Sequence, residues 1–248
     1  MVEPYVIKMP QLSDTMTEGV VVSWEKNIGD KIERGDIVAT VETDKAVVEL
    51  PSPKAGVVLK IHFAAGDQIN VARGTYIENL ILDVDLALVG EAPMGTVIDG
   101  GGTGTVVSIA PGVTVSLQSF EIRGGGDGGV FNEGDLTLED CWIHGNGGPQ
   151  AAAFGGLDNR GAVLLDRVSV VQNEGNSAGG VTNAGQAELR NSTVADNNGG
   201  GGVGIENLPA GTLDLVYSTV AGNGSVGVSV GVVGATTMRG TIVSGHSA

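Results

Sequence analysis

The chain has 248 residues, of which 13 are basic and 29 acidic, so its formal net charge is −16. Such an acidic surface repels phosphate backbones and anionic lipids, which argues against nucleic acid and membrane surfaces as partners. Cys141 is the single cysteine, so no internal disulfide forms, and we expect a small buried residue there. The sequence shows neither a secretory signal nor an apolar run long enough to span a membrane, and we therefore expect a cytoplasmic protein.

Composition changes sharply near residue 75. Residues 1–75 contain six lysines and six glycines, whereas residues 76–248 contain no lysine and 36 glycines. The second part also holds 18 acidic residues against five arginines, a net charge of −13. This contrast predicts two domains, at residues 1–74 and 75–248.

The first domain contains a weak internal duplication. "GVVVSWEKNIGDKI" from Gly19 matches "GVVLKIHFAAGDQI" from Gly56, and each half has the alternating apolar residues and the Gly-Asp pair of strand, turn and strand. Two such halves predict a small β-sandwich or flattened barrel. Between them, strand patterns at "DIVATVE" and "AVVELP" bracket residues 43–46, which are therefore predicted to form a hairpin tip.

The segment from "KMPQLSDTMTEG" through "ETDKAVVEL" to "AAGDQI" resembles the lipoyl domain of the E2 acyltransferase of a 2-oxoacid dehydrogenase complex, most closely the pyruvate type (dihydrolipoamide acetyltransferase). The resemblance implies covalent lipoic acid on Lys45, with Asp44 and Ala46 as flanking recognition residues. It also implies three partners: a thiamine-dependent E1 decarboxylase, an E3 flavoprotein and a lipoylating enzyme. Biotin carriers share the fold but have methionines around the lysine, so Asp44 and Ala46 favour lipoic acid.

A carrier role suits a hairpin tip, because an arm that projects from a rigid domain raises the effective concentration of its cargo at successive active sites. Two features depart from the E2 pattern. The spacing from Gly66 to Gly74 is two residues wider than that from Gly29 to Gly35, so the last strand is expected to be missing, altered or supplied by "GTYIENL". The catalytic His-x-x-x-Asp-Gly motif is absent, so at most the carrier part of an acyltransferase is expected.

The second domain contains repeats spaced 24 to 27 residues apart. The period could suit leucine-rich repeats, but their L-x-x-L-x-L frame is absent and helix-forming residues are scarce. Short strands divided by glycine-rich turns instead predict a right-handed parallel β-helix with apolar columns inside and asparagine ladders at the turns. The four predicted columns are Val130, Leu157, Val181 and Ile205; Leu138, Leu165, Leu189 and Leu215; Asn132, Asn159, Asn183 and Asn207; and Asn146, Asn173, Asn197 and Asn223.

This domain resembles the pectate-lyase-like β-helix superfamily at "TVIDGGGTGTVVSIAPGVTVSLQSFEIRGGG", and "NSTVADN" and "YSTVAGN" resemble bacterial surface proteins with a choice-of-anchor end. The resemblance implies a fold, and a glycan or a cell surface as an alternative partner. A polysaccharide lyase would need clustered acids with a basic residue, and no such convergence is visible. Four acids could line a groove for calcium or uronic acid but are expected to be solvated turn residues: Asp99, Asp127, Asp140 and Asp166. The basic candidates are Arg123, Arg160, Arg167, Arg190 and Arg239.

The remaining motifs favour structural roles. "GGGTG" and "GGGDGG" lack the context of nucleotide or calcium loops and predict turns. The sequons at Asn191 and Asn223 are attributed to the asparagine ladders. His62, His144 and His246 lie far apart without ligand partners at metal spacing, so no metal is expected.

The two halves suggest a fusion, which is natural, engineered or an artefact of sequence assembly, and both parts are expected to be cut short. Two functions follow. The first is an acyl carrier acting through Lys45 and joined to a non-catalytic β-helix. The second is a surface adhesion or glycan-binding β-helix with a vestigial amino-terminal domain.

Overall fold

The structure is a computed structural model, and its described part is all-β, as predicted. It forms two compact units, residues 1–64 with 68–70, and residues 65–67 with 71–248. Nowhere in the described part is there a helix long and apolar enough to cross a membrane. The described residues are 7, 20–26, 29–42, 47–57, 67–148, 154–199, 203–224, 226–230 and 234–245.

Within its described residues the first unit contains two small antiparallel sheets. A three-stranded sheet has the order β1-β3-β4, and β2 pairs with β5. Its apolar core includes Ile32, Val38 and Val41, all of which are buried. The strands are β1 (Val20–Trp24), β2 (Lys31–Ile32), β3 (Ile37–Glu42), β4 (Val47–Pro51) and β5 (Gly56–Val57).

Glycine turns precede two of these strands. Gly29 and Gly35 have φ angles of +94° and +96°, a conformation that glycine adopts at little cost. Each is followed by an aspartate and then by a strand, so the turn predicted at Gly29 and Asp30 is confirmed. Gly66, of the second half, lies outside the described residues.

The second unit is a right-handed parallel β-helix in which three sheets run along the axis. The first sheet contains β7 (Gly74–Ile77), β10 (Thr96–Asp99), β13 (Glu121–Arg123), β16 (Trp142–His144), β19 (Ser169–Val171), β23 (Thr193–Ala195), β27 (Thr219–Ala221) and β30 (Ile242–Ser244). The second contains β8 (Leu80–Leu82), β11 (Thr105–Ile109), β14 (Gly128–Asn132), β17 (Leu157–Asn159), β21 (Ala178–Asn183), β25 (Val203–Asn207) and β28 (Val226–Val230). The third contains β9 (Leu86–Gly90), β12 (Thr114–Gln118), β15 (Asp135–Glu139), β18 (Ala162–Asp166), β22 (Gln186–Arg190), β26 (Thr212–Val216) and β29 (Ala235–Arg239). Strand β6 (Asp67–Val71) contains residues of both units. A further short pair joins β20 (Glu174–Gly175) to β24 (Asn198–Gly199).

The segment "GTYIENL" lies in the solenoid. Strand β7 pairs in parallel with β10, and β8 with β11, so Gly74–Ile77 form part of the first turn. This contradicts the option in which that segment supplies the last strand of the lipoyl sandwich. A domain boundary at residues 74 and 75 stays a prediction.

The predicted apolar columns are confirmed. Val130 is aligned with Leu157, which is aligned with Val181, and all three are fully buried. The leucine column through Leu138 and Leu165 is likewise in register and fully buried. Equivalent positions on successive turns lie about 4.8 Å apart, so their side chains stack and fill the interior.

The asparagine ladders are confirmed too. Asn132 Nδ2 donates to Asn159 Oδ1 at 2.7 Å, and Asn159 Nδ2 donates to Asn183 Oδ1 at 2.7 Å. In the second ladder Asn146 Nδ2 donates to Asn173 Oδ1 at 3.0 Å. Their side chains are buried, so these hydrogen bonds satisfy polar groups that would otherwise be costly inside the solenoid.

One bend of the solenoid uses a left-handed residue on successive turns. It lies between a strand of the third sheet and the next strand of the first sheet. The side chains there differ in type, but a single left-handed residue turns the chain each time. The residues and their φ angles are Ser119 (63°), Asp140 (51°), Arg167 (56°), Asn191 (49°), Tyr217 (50°) and Gly240 (59°).

Candidate functional site

The strands that flank Lys45 form the predicted hairpin. Strands β3 and β4 are antiparallel, with Val41 opposite Val48 and Glu42 opposite Val47 as the last pair. Four residues, 43–46, connect that last pair. Asp44, Lys45 and Ala46 are the second, third and fourth of them and lie outside the described residues.

Burial in β3 and β4 shows how the hairpin is fixed. Ala39 and Val41 are almost fully buried, whereas Val47 is 60% exposed and Glu49 is exposed. The apolar face therefore packs on the domain, while the end of β4 nearest the connection faces solvent. A lysine connected to this ladder is joined to a rigid support.

Hydrogen bonds close the opposite end of the same hairpin. Gly35 N donates to Ser52 O at 2.8 Å, and Ser52 N donates to Asp36 O at 2.7 Å. Lys26 Nζ lies 3.1 Å from Asp36 Oδ2, and this hydrogen bond, together with one from the Glu33 amide, lowers the pKa of the Asp36 carboxyl. Both ends of the paired strands are thus defined, one by these bonds and the other by the Glu42 and Val47 pair.

In the solenoid, two groups of acidic side chains each surround an arginine of their own. The sequence predicted no such convergence. Arg167 Nε donates to Asp140 Oδ1 at 2.8 Å and its Nη1 donates to Asp166 Oδ2 at 2.7 Å, while Nη2 binds Glu139. The ion pair with Arg167 lowers the pKa of Asp140. These residues lie on consecutive turns, so their proximity depends on how the turns stack. Aligning the repeats by their apolar residues and asparagines does not show which charged residues meet.

The second group lies on the outer face of the first sheet. Arg123 Nε donates to Asp99 Oδ2 and its Nη1 to Glu121 Oε1, both at 3.0 Å. His144 Nε2 lies 3.0 Å from the same Glu121 oxygen, and the His144 ring stacks on Trp142 with centroids 3.8 Å apart. The sequence alone predicts no chemical role for His144. In "EIR" and "WIH" the central isoleucine points inward, so the residues on either side of it share the outer face. This alternation is the sequence signal that predicts their proximity.

The other candidates occupy structural positions. Arg160 pairs with Asp158 at 3.2 Å, and Arg190 pairs with Glu188. Burial raises the pKa of the Cys141 thiol to about 11, which confirms the expected buried cysteine. No cluster of three or more metal-ligating side chains occurs among the residues that the structure describes. His62 and His246 lie outside them.

The two sequons differ. Asn223 belongs to the second ladder, where it accepts a hydrogen bond from Asn197 at 2.9 Å, as expected. Asn191 does not. It occupies the left-handed bend and its Nδ2 donates to Asp166 Oδ1 at 3.3 Å, so attributing it to a ladder was wrong.

Comparison with known proteins identifies the first unit. Residues 5–77 match the family model described as "Biotin-requiring enzyme". The chain is 45% identical over 71 residues to the dihydrolipoyllysine-residue acetyltransferase component of the pyruvate dehydrogenase complex of Zymomonas mobilis, covering 29% of this chain and 16% of the relative. It is 36% identical over 67 residues to the dihydrolipoyllysine-residue succinyltransferase component of the 2-oxoglutarate dehydrogenase complex of Staphylococcus saprophyticus, covering 27% and 16%.

A third relative is the pyruvate dehydrogenase E1 component subunit beta of Rhizobium meliloti, 43% identical over 84 residues, or 34% of this chain and 18% of the relative. The chain therefore spans less than a fifth of the length of these curated relatives. No solved structure matches it significantly. The amino-terminal part is homologous to the lipoyl domains of E2 components, and the parallel β-helix follows it.

Proposed function

We propose that the amino-terminal unit is an acyl carrier, with lipoic acid attached to Lys45, in a 2-oxoacid dehydrogenase complex. The observation that carries the proposal is the homology over residues 5–77, because E2 lipoyl domains bear lipoic acid on a lysine. The β3 and β4 hairpin supports it: the two strands leave a four-residue connection in which Lys45 is third.

The residues of this chain would hold and present the group. Amide formation would remove the charge of Lys45, and β3 and β4, which flank it in sequence, are paired as far as Glu42 and Val47. When bound, a lipoyl group supplies a dithiolane that accepts an acyl group with reduction of its sulfur–sulfur bond and gives the acyl group to a second acceptor. Asp44 and Ala46 would serve as flanking recognition residues for the lipoylating enzyme.

The partners implied are the E1 decarboxylase, the E3 flavoprotein and the lipoylating enzyme. By their names, the relatives belong to pyruvate and 2-oxoglutarate dehydrogenase complexes. The comparisons therefore support a 2-oxoacid as the substrate class and do not select one 2-oxoacid. The "KMPQLSDTMTEG" opening favours pyruvate. Surface adhesion or glycan binding by the solenoid stays a prediction.

Intact-mass measurement tests attachment. The full chain is expressed in a host with active lipoylation, beside Lys45→Arg and the matched control Lys31→Arg, which changes an exposed lysine on β2. We expect one lipoyl increment in the wild type and the control, and none in Lys45→Arg. A well-folded but unmodified wild type, or an increment that persists in Lys45→Arg, would contradict the proposal.

Transfer is tested separately on the lipoylated chain. Purified E1 decarboxylases for pyruvate and for 2-oxoglutarate are each supplied with their labelled 2-oxoacid. We expect label to appear on the protein with the pyruvate enzyme and not on Lys45→Arg. Labelling only by the 2-oxoglutarate enzyme would correct the substrate while leaving the carrier role intact.

A further inference from the structure

An open groove crosses the outer face of the third solenoid sheet. It consists of two adjoining cavities of about 470 and 320 Å³ that share four lining residues. These four are in register on consecutive strands, so the groove runs along the solenoid axis. They are Asp135, Ala162, Gln186 and Thr212.

Glycines on one side of the groove let successive turns approach closely. A Cβ at Gly134 would lie 2.3 Å from Val113 O, and one at Gly161 would lie 2.0 Å from Gly134 O. Gly185 repeats this arrangement one turn later, with 2.0 Å to Gly161 O. A side chain at these positions would meet the backbone of the preceding turn, so the glycines permit the close stacking that aligns the residues lining the groove.

The groove is acidic. Four carboxylates and one guanidinium line it, a net charge of −3. Arg160 is already held by Asp158 and stacks 4.7 Å from the centroid of the Phe131 ring. Glu188 is paired with Arg190 at 2.7 Å. The described part of the chain provides no ion pair for the other three carboxylates, which are Glu133, Asp135 and Asp214.

The middle of the groove is apolar. Ala162 and Leu164 face outward from β18 and are half-buried. Asp135 lies on β15, which neighbours β18 on one side, and Glu188 lies on β22, which neighbours it on the other. Lysine and arginine have this same combination of an apolar stem and a cationic tip. Stems can lie on Ala162 and Leu164 while the tips reach carboxylates on either side, where charge-assisted hydrogen bonds are strongest.

We propose that this groove binds an extended cationic segment of a partner protein. From Thr114 to Thr212 the groove crosses five strands, about 19 Å, which an extended chain of about six residues spans. Among the described residues no aromatic side chain lines it, so the described lining lacks the stacking surface that favours a sugar ring, and its carboxylates repel anionic glycans. Net charge in the solenoid would also accelerate association with a cationic partner.

Fluorescence anisotropy on the full chain tests the proposal. The probes are a labelled octapeptide of alternating lysine and serine, its glutamate and serine counterpart, and a neutral hexasaccharide at low salt. We expect binding of the cationic peptide alone. In Asp135→Asn/Asp214→Asn its affinity should fall about tenfold, because two charge-assisted contacts are lost.

The matched control is Glu78→Gln/Glu174→Gln, which makes the same change in net charge at exposed sites outside the groove. We expect its affinity to stay close to that of the wild type. Equal weakening in both double variants would show a general charge effect and overturn the proposal. Tighter binding of the hexasaccharide, or no binding of the cationic peptide by the wild type, would also overturn it.

A second variant tests the location without removing acids. Ala162→Lys places a cation in the centre of the groove and should block the peptide, whereas Ser169→Lys makes the same charge change on the first sheet and should not. Thermal melting of each variant shows whether it is folded. Equal effects of the two lysines would contradict binding in this groove.

Discussion

The two units differ in how many residues their main property depends on. The proposed function of the first unit depends on one residue, whereas the stability of the solenoid depends on many. In the first unit the proposed function depends on one side chain, Lys45, held by a hairpin that a few local contacts define. In the solenoid, stability is distributed over columns such as Leu138, Leu165 and Leu189, in which each member repeats the role of the one before. A substitution should therefore either abolish a property of the first unit or weaken the second by increments.

The difference also affects how substitutions propagate. A solenoid turn contacts its immediate neighbours, so a destabilising change acts on adjacent turns and its cost adds to the total. Residues 5–77 match the family model by themselves, and the three relatives are matched over 67 to 84 residues of this chain. We expect modification of Lys45 to be insensitive to damage in the solenoid.

The largest expected effect on stability comes from Leu165→Ala. Leu165 is fully buried between Leu138 and Leu189, so the change leaves a cavity and should destabilise the solenoid by about 3 kcal/mol. Urea unfolding followed by circular dichroism measures it. Leu164→Ala, on the outward side of the same strand, is the matched control and should cost much less. Equal losses, or loss of lipoylation in Leu165→Ala, would contradict the separation of the two units.

A smaller loss is expected from Asn159→Ala, in the middle of the first ladder. Its side-chain amide donates to Asn183, and its oxygen accepts from Asn132, each at 2.7 Å. Removing it leaves buried polar groups short of partners, at a cost of about 2 kcal/mol. The urea midpoint of Asn198→Ala provides the comparison, since Asn198 is exposed, outside the ladder and not at a left-handed bend. If both variants unfolded at the same midpoint, the ladder would contribute nothing beyond an exposed asparagine.

The sequence predicted what local or strictly periodic patterns specify. Alternating residues in "DIVATVE" predicted strand β3 to within one residue, and the repeat predicted which leucines and asparagines align. In both cases the pattern lies along one strand or recurs at a fixed interval. The lysine proposed to be modified is predicted from a short motif, and the hairpin prediction for residues 43–46 needs only the bracketing strands.

The sequence could not predict contacts between unlike residues on different turns. Asp140 and Arg167 share a column at a 27-residue step, but aligning like residues does not reveal that opposite charges meet there, and Glu121 and His144 lie in neighbouring columns. The left-handed bend is equally hidden, because Tyr217 and Asn191 serve the same backbone turn with unrelated side chains. The error at Asn191 arose from treating every repeated asparagine as part of a ladder.

The smallest expected effect, and one that depends on pH, comes from Arg167→Gln. Arg167 lowers the pKa of Asp140 below its usual 3.8, so the ionised carboxyl stabilises the folded state. A lowered folded-state pKa contributes stability that is fully present above the unfolded value and is lost as the pH falls through the folded value. The difference in urea midpoint between wild type and Arg167→Gln should thus be constant from pH 5 to 7 and shrink below about pH 4.

The pair lies at the surface, so salt should also reduce that difference, and it should stay below the loss measured for Asn159→Ala. Arg239→Gln is the matched control, since it removes the same charge from an exposed position for which the described residues provide no ion pair. We expect the urea midpoint of Arg239→Gln to show no such step near pH 4. Identical pH profiles for the two variants would mean that net charge, rather than the Arg167 contacts between turns, produces the dependence.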